Sequence, residues 1–325
     1  MDGMRWIISH QSALEYWRKT DAKGVLAGKR LRAMKPQARL FGTAELRADK
    51  FWGFAVPLHV LVGSGNARKV NRYMHSHVSP GEFPDGSFVR MDSGLVISSP
   101  ELCFLQMAGE IPFANLVALG FELCGTYRLD RESADGKGFR GDLPLTSAYS
   151  LGSYASRAVG LKGRKNAMKA LSFIADGSAS PMETILAILL VLPYRLGGYG
   201  FPMPLFNHRI DMPASVVKAD GKSKYYYCDF YWPDKKVAVE YDSDAFHTGS
   251  ERIAEDAIRR NALSRMGITV VTAARMLVFN SLKMHEFAEV LSKLLGKRLQ
   301  YSQKEFKYRH AKLLRQLFTK LPADR

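Results

Sequence analysis

The chain has 325 residues, enough for two domains that each bury a core of their own. Its 46% hydrophobic and 24% charged residues are those of an ordinary soluble globular protein. The net charge of +16 is not ordinary and favours a polyanionic partner, with nucleic acid ahead of an anionic membrane.

Cysteine usage and hydropathy exclude several classes. The 3 cysteines form no CxxC pair, which argues against a disulfide framework or a zinc site built on them. The first residues lack the pattern of a signal peptide. The longest apolar run, 185–193, is far shorter than the roughly 20 residues of a membrane span. We therefore expect a cytoplasmic protein without membrane contact.

The first 150 residues predict a mixed α/β domain with a regulatory or nucleic-acid-binding role. Helices are predicted at 11–18, from Ser99-Pro100-Glu101 to about 108, and at 112–124, and strand-like pieces at 58–62, 87–90 and 95–98. His75 and His77 alternate as on a strand, but no third ligand is in view, so a metal site is the less favoured interpretation.

A passage rich in Gly, Ser and Asp, 130–152, predicts a domain boundary near residue 150. A single basic helix, 154–175, is predicted within a connecting segment, 151–176. A second domain at 177–280 then reads helix 181–192, loop, strand 224–232, strand 236–242, helix 250–266 and strand 268–272. The basic C-terminal region, 281–325, carries an apolar side within 297–320 and predicts an amphipathic docking helix.

The two strands at 224–242 carry the residues that suggest a chemistry. A turn centred between Asp234 and Lys235 would place Asp229 opposite Glu240, with their Cβ atoms ~5 Å apart. Alternation along the second strand puts Asp242 on the same side as Glu240. Three acids so close repel unless one is protonated or a cation binds, and Mg²⁺ (or Mn²⁺) accepts such ligands. Alternatively, the aspartates are solvated and Glu240 pairs with a lysine.

Further candidates surround this pair of strands. His247 could act as a general acid or base, or be structural. Glu183 matches a capping box with Ser180 in which its carboxylate returns to the Ser180 N–H, and could also face the acids. Arg259 and Arg260 could meet phosphate, although a charged solvent face of the helix is the favoured interpretation, and Asp256 could pair with either arginine.

These residues resemble a known family, the endonuclease-like domains related to very-short-patch-repair enzymes, a branch of the PD-(D/E)XK superfamily. The similarity runs through 180–183, 228–233, 239–242, His247, Arg259 and 263–271, in the family's order and spacing. It implies a restriction-endonuclease-like fold, a mixed sheet flanked by helices with the acids on two adjacent strands.

The resemblance also implies roles. Asp229 and Glu240 would be the metal-binding acids, His247 the histidine of the repair branch and Glu183 the helix glutamate. Asp242 stands where the wider superfamily has a lysine, an aspartate being common in this branch, and we expect it to support the metal. Lys236 lies on the same strand face as Glu240, and could replace the missing cation at the limit of its reach.

The first domain resembles the antitoxin-like proteins of abortive-infection systems, through 58–62, 75–77 and 96–101. We therefore expect a Mg²⁺-dependent DNA endonuclease that acts in phage defence or DNA repair. The alternatives are a catalytically inactive DNA-binding regulator of antitoxin type, and a protein that acts on RNA.

Overall fold

The computed structural model describes residues 7–21, 28–36, 54–91, 96–130, 132–133, 135–214, 224–242, 250–299 and 303–318. They form two compact units, Met1–Ile174 and Ala175–Arg325. Both combine helices with a mixed sheet, which confirms the predicted mixed α/β class. In the described part of the chain, no helix is both long and apolar enough to cross a bilayer.

The first unit has a sheet of six described strands in the order β2-β5-β6-β1-β3-β4. These strands are β1 (Ile7–Ile8), β2 (Lys29–Arg30), β3 (Leu58–Val62), β4 (Met74–Val78), β5 (Phe88–Arg90) and β6 (Val96–Ser98). Strand β1 runs parallel to β6 and antiparallel to β3, and β3 runs parallel to β4. A separate hairpin joins β7 (Tyr127–Leu129) to β8 (Phe139–Gly141).

Helices cover this sheet and bury its core. They are α1 (His10–Lys19), α2 (Pro100–Met107), α3 (Phe113–Cys124), α4 (Ala148–Arg157) and α5 (Arg164–Leu171). Helix α2 begins as predicted, because the Ser99 side chain accepts a hydrogen bond from the Leu102 N–H and Pro100 occupies the first position. Trp17 of α1 is fully buried and donates its indole N–H to the Ser98 carbonyl, 2.8 Å away.

The predicted basic helix 154–175 is two helices, and they lie in the first unit. The chain turns at Gly160 and Gly163, both with positive φ. A Cβ at Gly163 would lie 2.1 Å from the Leu105 carbonyl oxygen, so the backbone approaches α2 more closely than any other residue allows. The first unit ends at Ile174 and so includes both helices, whereas the sequence predicts a domain boundary near residue 150.

The second unit has a sheet of four described strands in the order β12-β11-β10-β9. They are β9 (Leu205–Asp211), β10 (Tyr225–Trp232), β11 (Val237–Asp242) and β12 (Thr269–Ala274). Strands β9, β10 and β11 are antiparallel neighbours, and β12 runs parallel to β11. The helices are α6 (Pro181–Val191), α7 (Ser250–Arg265), α8 (Met276–Phe279), α9 (Ser281–Leu295) and α10 (Gln303–Phe318).

The hairpin has the predicted register, since Phe230 pairs with Val239 and Trp232 with Val237. Its turn is a short 3-10 segment, Pro233–Lys235, closed by Lys236 in the left-handed region. Strand β9 falls in the stretch predicted as a loop. Apolar and polar residues do not alternate regularly along this strand, and Asn207 within it has a positive φ of 43°.

Helix α10 is the predicted amphipathic docking helix. It buries Phe306, His310, Leu313 and Leu317, while its basic side chains stay largely exposed. The His310 Nδ1 lies 2.8 Å from the Gly197 carbonyl oxygen, which ties the helix to the segment that follows α6.

Candidate acidic site of the second unit

Asp229 occupies a break between β10 and β11. The strand ladder runs from Trp232–Val237 to Phe230–Val239, and the next step would pair Asp229 with Glu240. Instead, the Asp229 carboxylate accepts the Tyr241 N–H, at 2.7 Å from Oδ2. A side chain has thus taken the place of a ladder acceptor, which holds this carboxylate between two strands.

Glu183 lies in the first turn of α6 and serves in its cap. The Ser180 Oγ accepts the Glu183 N–H at 3.1 Å, as predicted. The return bond differs by one residue, because Glu183 Oε2 accepts the Ala179 N–H at 3.0 Å while Oε1 accepts the Ser180 hydroxyl. The cap therefore explains part of the environment of Glu183.

Asn207 connects this cap to the sheet. Its side-chain amide donates to Glu183 Oε2 at 3.0 Å and to the Gly177 carbonyl at 2.8 Å. The sequence does not single out Asn207, because a lone asparagine in an irregular stretch carries no pattern. Its positive φ and its two bonds bring the start of α6 to β9.

The three acids share one electrostatic environment. Burial raises the pKa of Asp229. Burial, and then the charge of Asp229, raise the pKa of Glu240 to about 7 and that of Glu183 to about 7. Asp229 is therefore the common neighbour, and its charge favours the protonated forms of Glu183 and Glu240.

Arg259 of α7 lies beside Glu240. Its Nη2 lies 2.7 Å from Glu240 Oε1, and it also donates to the Tyr227 carbonyl. The distance is that of an ion pair, but the N–H bonds do not point at Oε1, and this buried oxygen accepts no hydrogen bond from a described residue. Arg259 thus contacts the two strands through Glu240 and the Tyr227 carbonyl, and is more than a charge on the solvent face of α7.

Cys228 also faces Glu240. Burial raises the pKa of the Cys228 thiol to about 12, so the thiol keeps its proton and can donate weakly to the Glu240 carboxylate. A weak donor and one badly aimed arginine leave the acid incompletely satisfied. An orphaned buried carboxylate oxygen beside a second acid fits a divalent cation with oxygen ligands.

Three further predicted site residues, Asp242, Lys236 and Arg260, lie in the described part of the chain. Asp242 ends β11, where its carbonyl accepts the Arg275 N–H at 2.9 Å. Lys236 Nζ is 3.4 Å from the Met266 carbonyl oxygen, so its side chain is directed to the end of α7 instead of to Glu240. Arg260 is exposed on α7, and His247 lies outside the described residues.

Asp229, Glu240 and Asp242 do not form a preassembled triad of ligands. Among the described residues, the groups of three or more potential metal ligands whose ligand atoms all lie within 4.8 Å of one another are two sets in the first unit. The physical reason is that the Asp229 carboxylate is held by the Tyr241 N–H and that of Glu240 by Arg259. The structure instead places Asp229 as the neighbour of Glu183 and Glu240.

No protein-family model matches the chain, and no solved structure matches it significantly. Two curated relatives, uncharacterized proteins of Mycobacterium tuberculosis strains CDC 1551 / Oshkosh and ATCC 25618 / H37Rv, are each 27% identical over 113 residues. That segment is 34% of this chain and 36% of each relative, so the chain spans about a third of the length of the curated relatives it matches. Both are similar to part of this chain, and their names attach no activity to it.

Proposed function

We propose that the second unit is a metal-dependent DNA endonuclease of the very-short-patch-repair-like type, which hydrolyses phosphodiester bonds. The observation that carries the proposal is the acid group of buried Glu183 and half-buried Asp229 and Glu240, in which burial raises all three pKa values and the charge of Asp229 raises those of the two glutamates further. Acids with strongly raised pKa values cluster at functional sites, because catalysis and metal binding use such groups although they destabilise the fold. This group is therefore a candidate functional site.

The order of elements supports the same proposal. Helix α6 is followed by the antiparallel strands β9, β10 and β11, then by α7 and the parallel strand β12. Asp229 and Glu240 lie on the two central neighbours, β10 and β11. The resemblance to the repair-type nuclease domains implies a mixed sheet of this kind with acids on adjacent strands.

Asp229 and Glu240 would hold Mg²⁺ (or Mn²⁺), with Asp242 in support. When bound, the ion supplies an activated water and stabilises negative charge on the phosphate. Arg259, at the same position, would contact the phosphate through its planar fork of donors. His247 would exchange a proton with the water or the leaving group, and Asn207 would keep Glu183 oriented through their hydrogen bond.

Plasmid cleavage in Mg²⁺ tests the proposal. Asp229→Asn and Glu240→Gln keep shape but remove the charges that would bind the ion, so we expect each to abolish cleavage. Asp211→Asn is the matched control, because this exposed aspartate of β9 pairs only with Arg209 among its described contacts. Circular dichroism would establish that the variants are folded, and wild-type cleavage by both site variants would refute the mechanism.

A catalytically inactive DNA-binding regulator is the second candidate. It is favoured by the ion pair between Arg259 and Glu240, which partly satisfies the acid without a metal, and by the aspartate at position 242 in place of a lysine. Calorimetric titration of Mg²⁺ and Mn²⁺ separates the two, since the regulator requires no binding that Asp229→Asn removes. Competition between duplex DNA and single-stranded RNA tests the RNA alternative.

A further inference from the structure

A cluster of histidines lies on one face of the first unit's sheet. His59 is on β3 and is the direct register partner of His75 on β4, and Leu61 pairs with His77. Side chains two residues apart on a strand point to the same side. The parallel pairing of β3 and β4 therefore collects His59, His75 and His77 on one surface, which supplies the third ligand that the sequence alone did not reveal.

The imidazoles are within ligand distance of one another. The ligand atoms of His59, His75 and His77 all lie within 4.8 Å of each other. His59 Nδ1 and His77 Nε2 are 2.9 Å apart, and the rings of His75 and His77 stack with centroids 4.6 Å apart. In tetrahedral zinc sites, Zn–N bonds of about 2.0–2.1 Å place ligand nitrogens about 3.3 Å apart, a little more than the distance between His59 Nδ1 and His77 Nε2.

Two further ligand groups adjoin the three histidines. His10, at the start of α1, stacks on His77 with ring centroids 3.4 Å apart. His10, His77 and Glu110 form a second set whose ligand atoms lie within 4.8 Å of one another. Glu110 accepts a hydrogen bond from Lys162 at 2.8 Å, so its negative charge is partly neutralised.

Burial favours the neutral form of His10, His59 and His77. Burial, followed by the neighbouring His59 and His75, lowers the pKa of His77 to about 4. Burial also lowers the pKa of His59 and of His10. A neutral imidazole keeps a lone pair on one ring nitrogen, and its single proton can occupy the other.

Two of the three histidines, His75 and His77, line a cavity of about 370 Å³ within the first unit. His10, His75, His77, Glu110 and Lys162 are among its lining residues. A ligand in this cavity would therefore meet imidazole nitrogens, a carboxylate and an ammonium group. An open transition-metal site has three protein ligands, and its fourth coordination position is directed to a space of this kind.

We propose that His59, His75 and His77 bind a divalent transition-metal ion of the zinc class, with a remaining coordination position open to the cavity. Imidazole ligands suit Zn²⁺, Cu²⁺, Ni²⁺ and Fe²⁺ better than Mg²⁺. On binding, the hydrogen bond between His59 and His77 is replaced by two metal–nitrogen bonds. The ring that donated in that bond changes tautomer, so its proton moves to its other nitrogen and both neutral rings carry their one proton on the nitrogen that faces away. The site is separate from the acids of the second unit, and the proposal does not depend on the nuclease function.

Titration of the tag-free, full-length protein with Co²⁺ and Zn²⁺ tests the site. We expect one equivalent of Co²⁺ to give the visible absorption of a nitrogen-ligated, four- or five-coordinate ion, which Zn²⁺ displaces. His75→Gln and His77→Gln should each lower Zn²⁺ affinity by more than the roughly 10–100-fold that loss of an outer-shell partner costs. His285→Gln, on α9 of the second unit, is the matched control and should bind Zn²⁺ as wild type does.

Two outcomes of the titrations overturn the proposal. One is a folded wild-type protein that shows no Co²⁺ absorption, and the other is Zn²⁺ affinity that is unchanged in the histidine variants. X-ray absorption of the Zn²⁺-loaded wild type does not depend on whether a variant folds, and a ligand shell without imidazole scattering would equally refute the site. Asp229→Asn should retain the absorption, which separates this test from that of the nuclease proposal.

Discussion

At the scale of single residues, the histidine cluster of the first unit and the acid group of the second both reflect the cost of burying charge. Burial disfavours the charged form of any group, so it lowers the pKa of His77 and raises that of Glu240. In each cluster the neighbours have the same character, which adds repulsion and pushes the pKa further in the same direction. Histidines avoid this repulsion when they are neutral at neutral pH, whereas the acids avoid it only by binding protons or a cation.

Glu183 gives a measurable consequence of this cost. Its pKa is about 7 in the folded chain, against 4.5 for an unperturbed glutamate, so between these values the folded state binds more protons. The free energy of unfolding of the metal-free protein should therefore fall as pH rises from about 4.5 to about 7, by at most about 3 kcal/mol for this residue. Glu183→Gln should reduce that slope.

Urea unfolding in EDTA, from about pH 5 to about pH 8, measures this slope. The slope is the readout because Glu183→Gln also disturbs the cap of α6 and shifts the absolute stability. Asp211→Asn, a substitution on an exposed aspartate, should leave the slope unchanged. Equal slopes for wild type and Glu183→Gln would contradict the assignment of the shifted pKa to Glu183.

At the scale of elements, strand register and helix starts could be predicted where the residues that determine them lie close together in the sequence. The turn around Asp234 and Lys235 fixed the register of β10 with β11, and Ser180 fixed the start of α6. The partnership of Arg259 with Glu240 and the strand at Asn207 could not be predicted in the same way. Both features depend on which helices and strands pack against each other, and no short sequence pattern determines that packing.

The histidine cluster of the first unit also could not be predicted in full from the sequence. The alternation of His75 and His77 was visible, but His59 joins them only through the parallel pairing of β3 and β4. Parallel neighbours are joined by a connection of variable length, so their register is not set by a turn. The candidate site in the second unit was therefore easier to find, because its two acids lie in one hairpin.

The break between α4 and α5 also yields a prediction at the scale of elements. Gly163→Ala places a methyl group against the Leu105 carbonyl at a positive φ, so we expect a loss of at least about 1–3 kcal/mol. Gly152→Ala is the matched control, because Gly152 lies within α4 and a Cβ there would have no atom within 4 Å. That change should stabilise by about 0.5–1 kcal/mol. Thermal unfolding of both variants measures the difference, and similar melting temperatures would be contrary to the close approach described.

At the scale of the whole molecule, the net charge of +16 is the property that most directly bears on a partner. Helix α10 buries Phe306, Leu313 and Leu317 and thereby presents Lys307, Lys312 and Arg315 to solvent. Helix α5 likewise exposes Lys165 and Lys169 beside its buried alanines. The fold of each unit therefore leaves basic side chains available for phosphate, whether or not the acid group cleaves it.

Duplex DNA binding should accordingly weaken steeply with salt, because each neutralised phosphate releases counterions. If Lys307, Lys312 and Arg315 each contact a phosphate, replacing all three by alanine should reduce the slope of log Kobs against log salt by up to about 2.7. The exchange Lys307→Arg, Lys312→Arg and Arg315→Lys keeps the charges and should keep the slope. Fluorescence anisotropy with a labelled duplex across a salt series measures both. A wild-type slope in the alanine variant would show that α10 does not meet the backbone, and Lys165→Ala with Lys169→Ala would then test α5 in the same way.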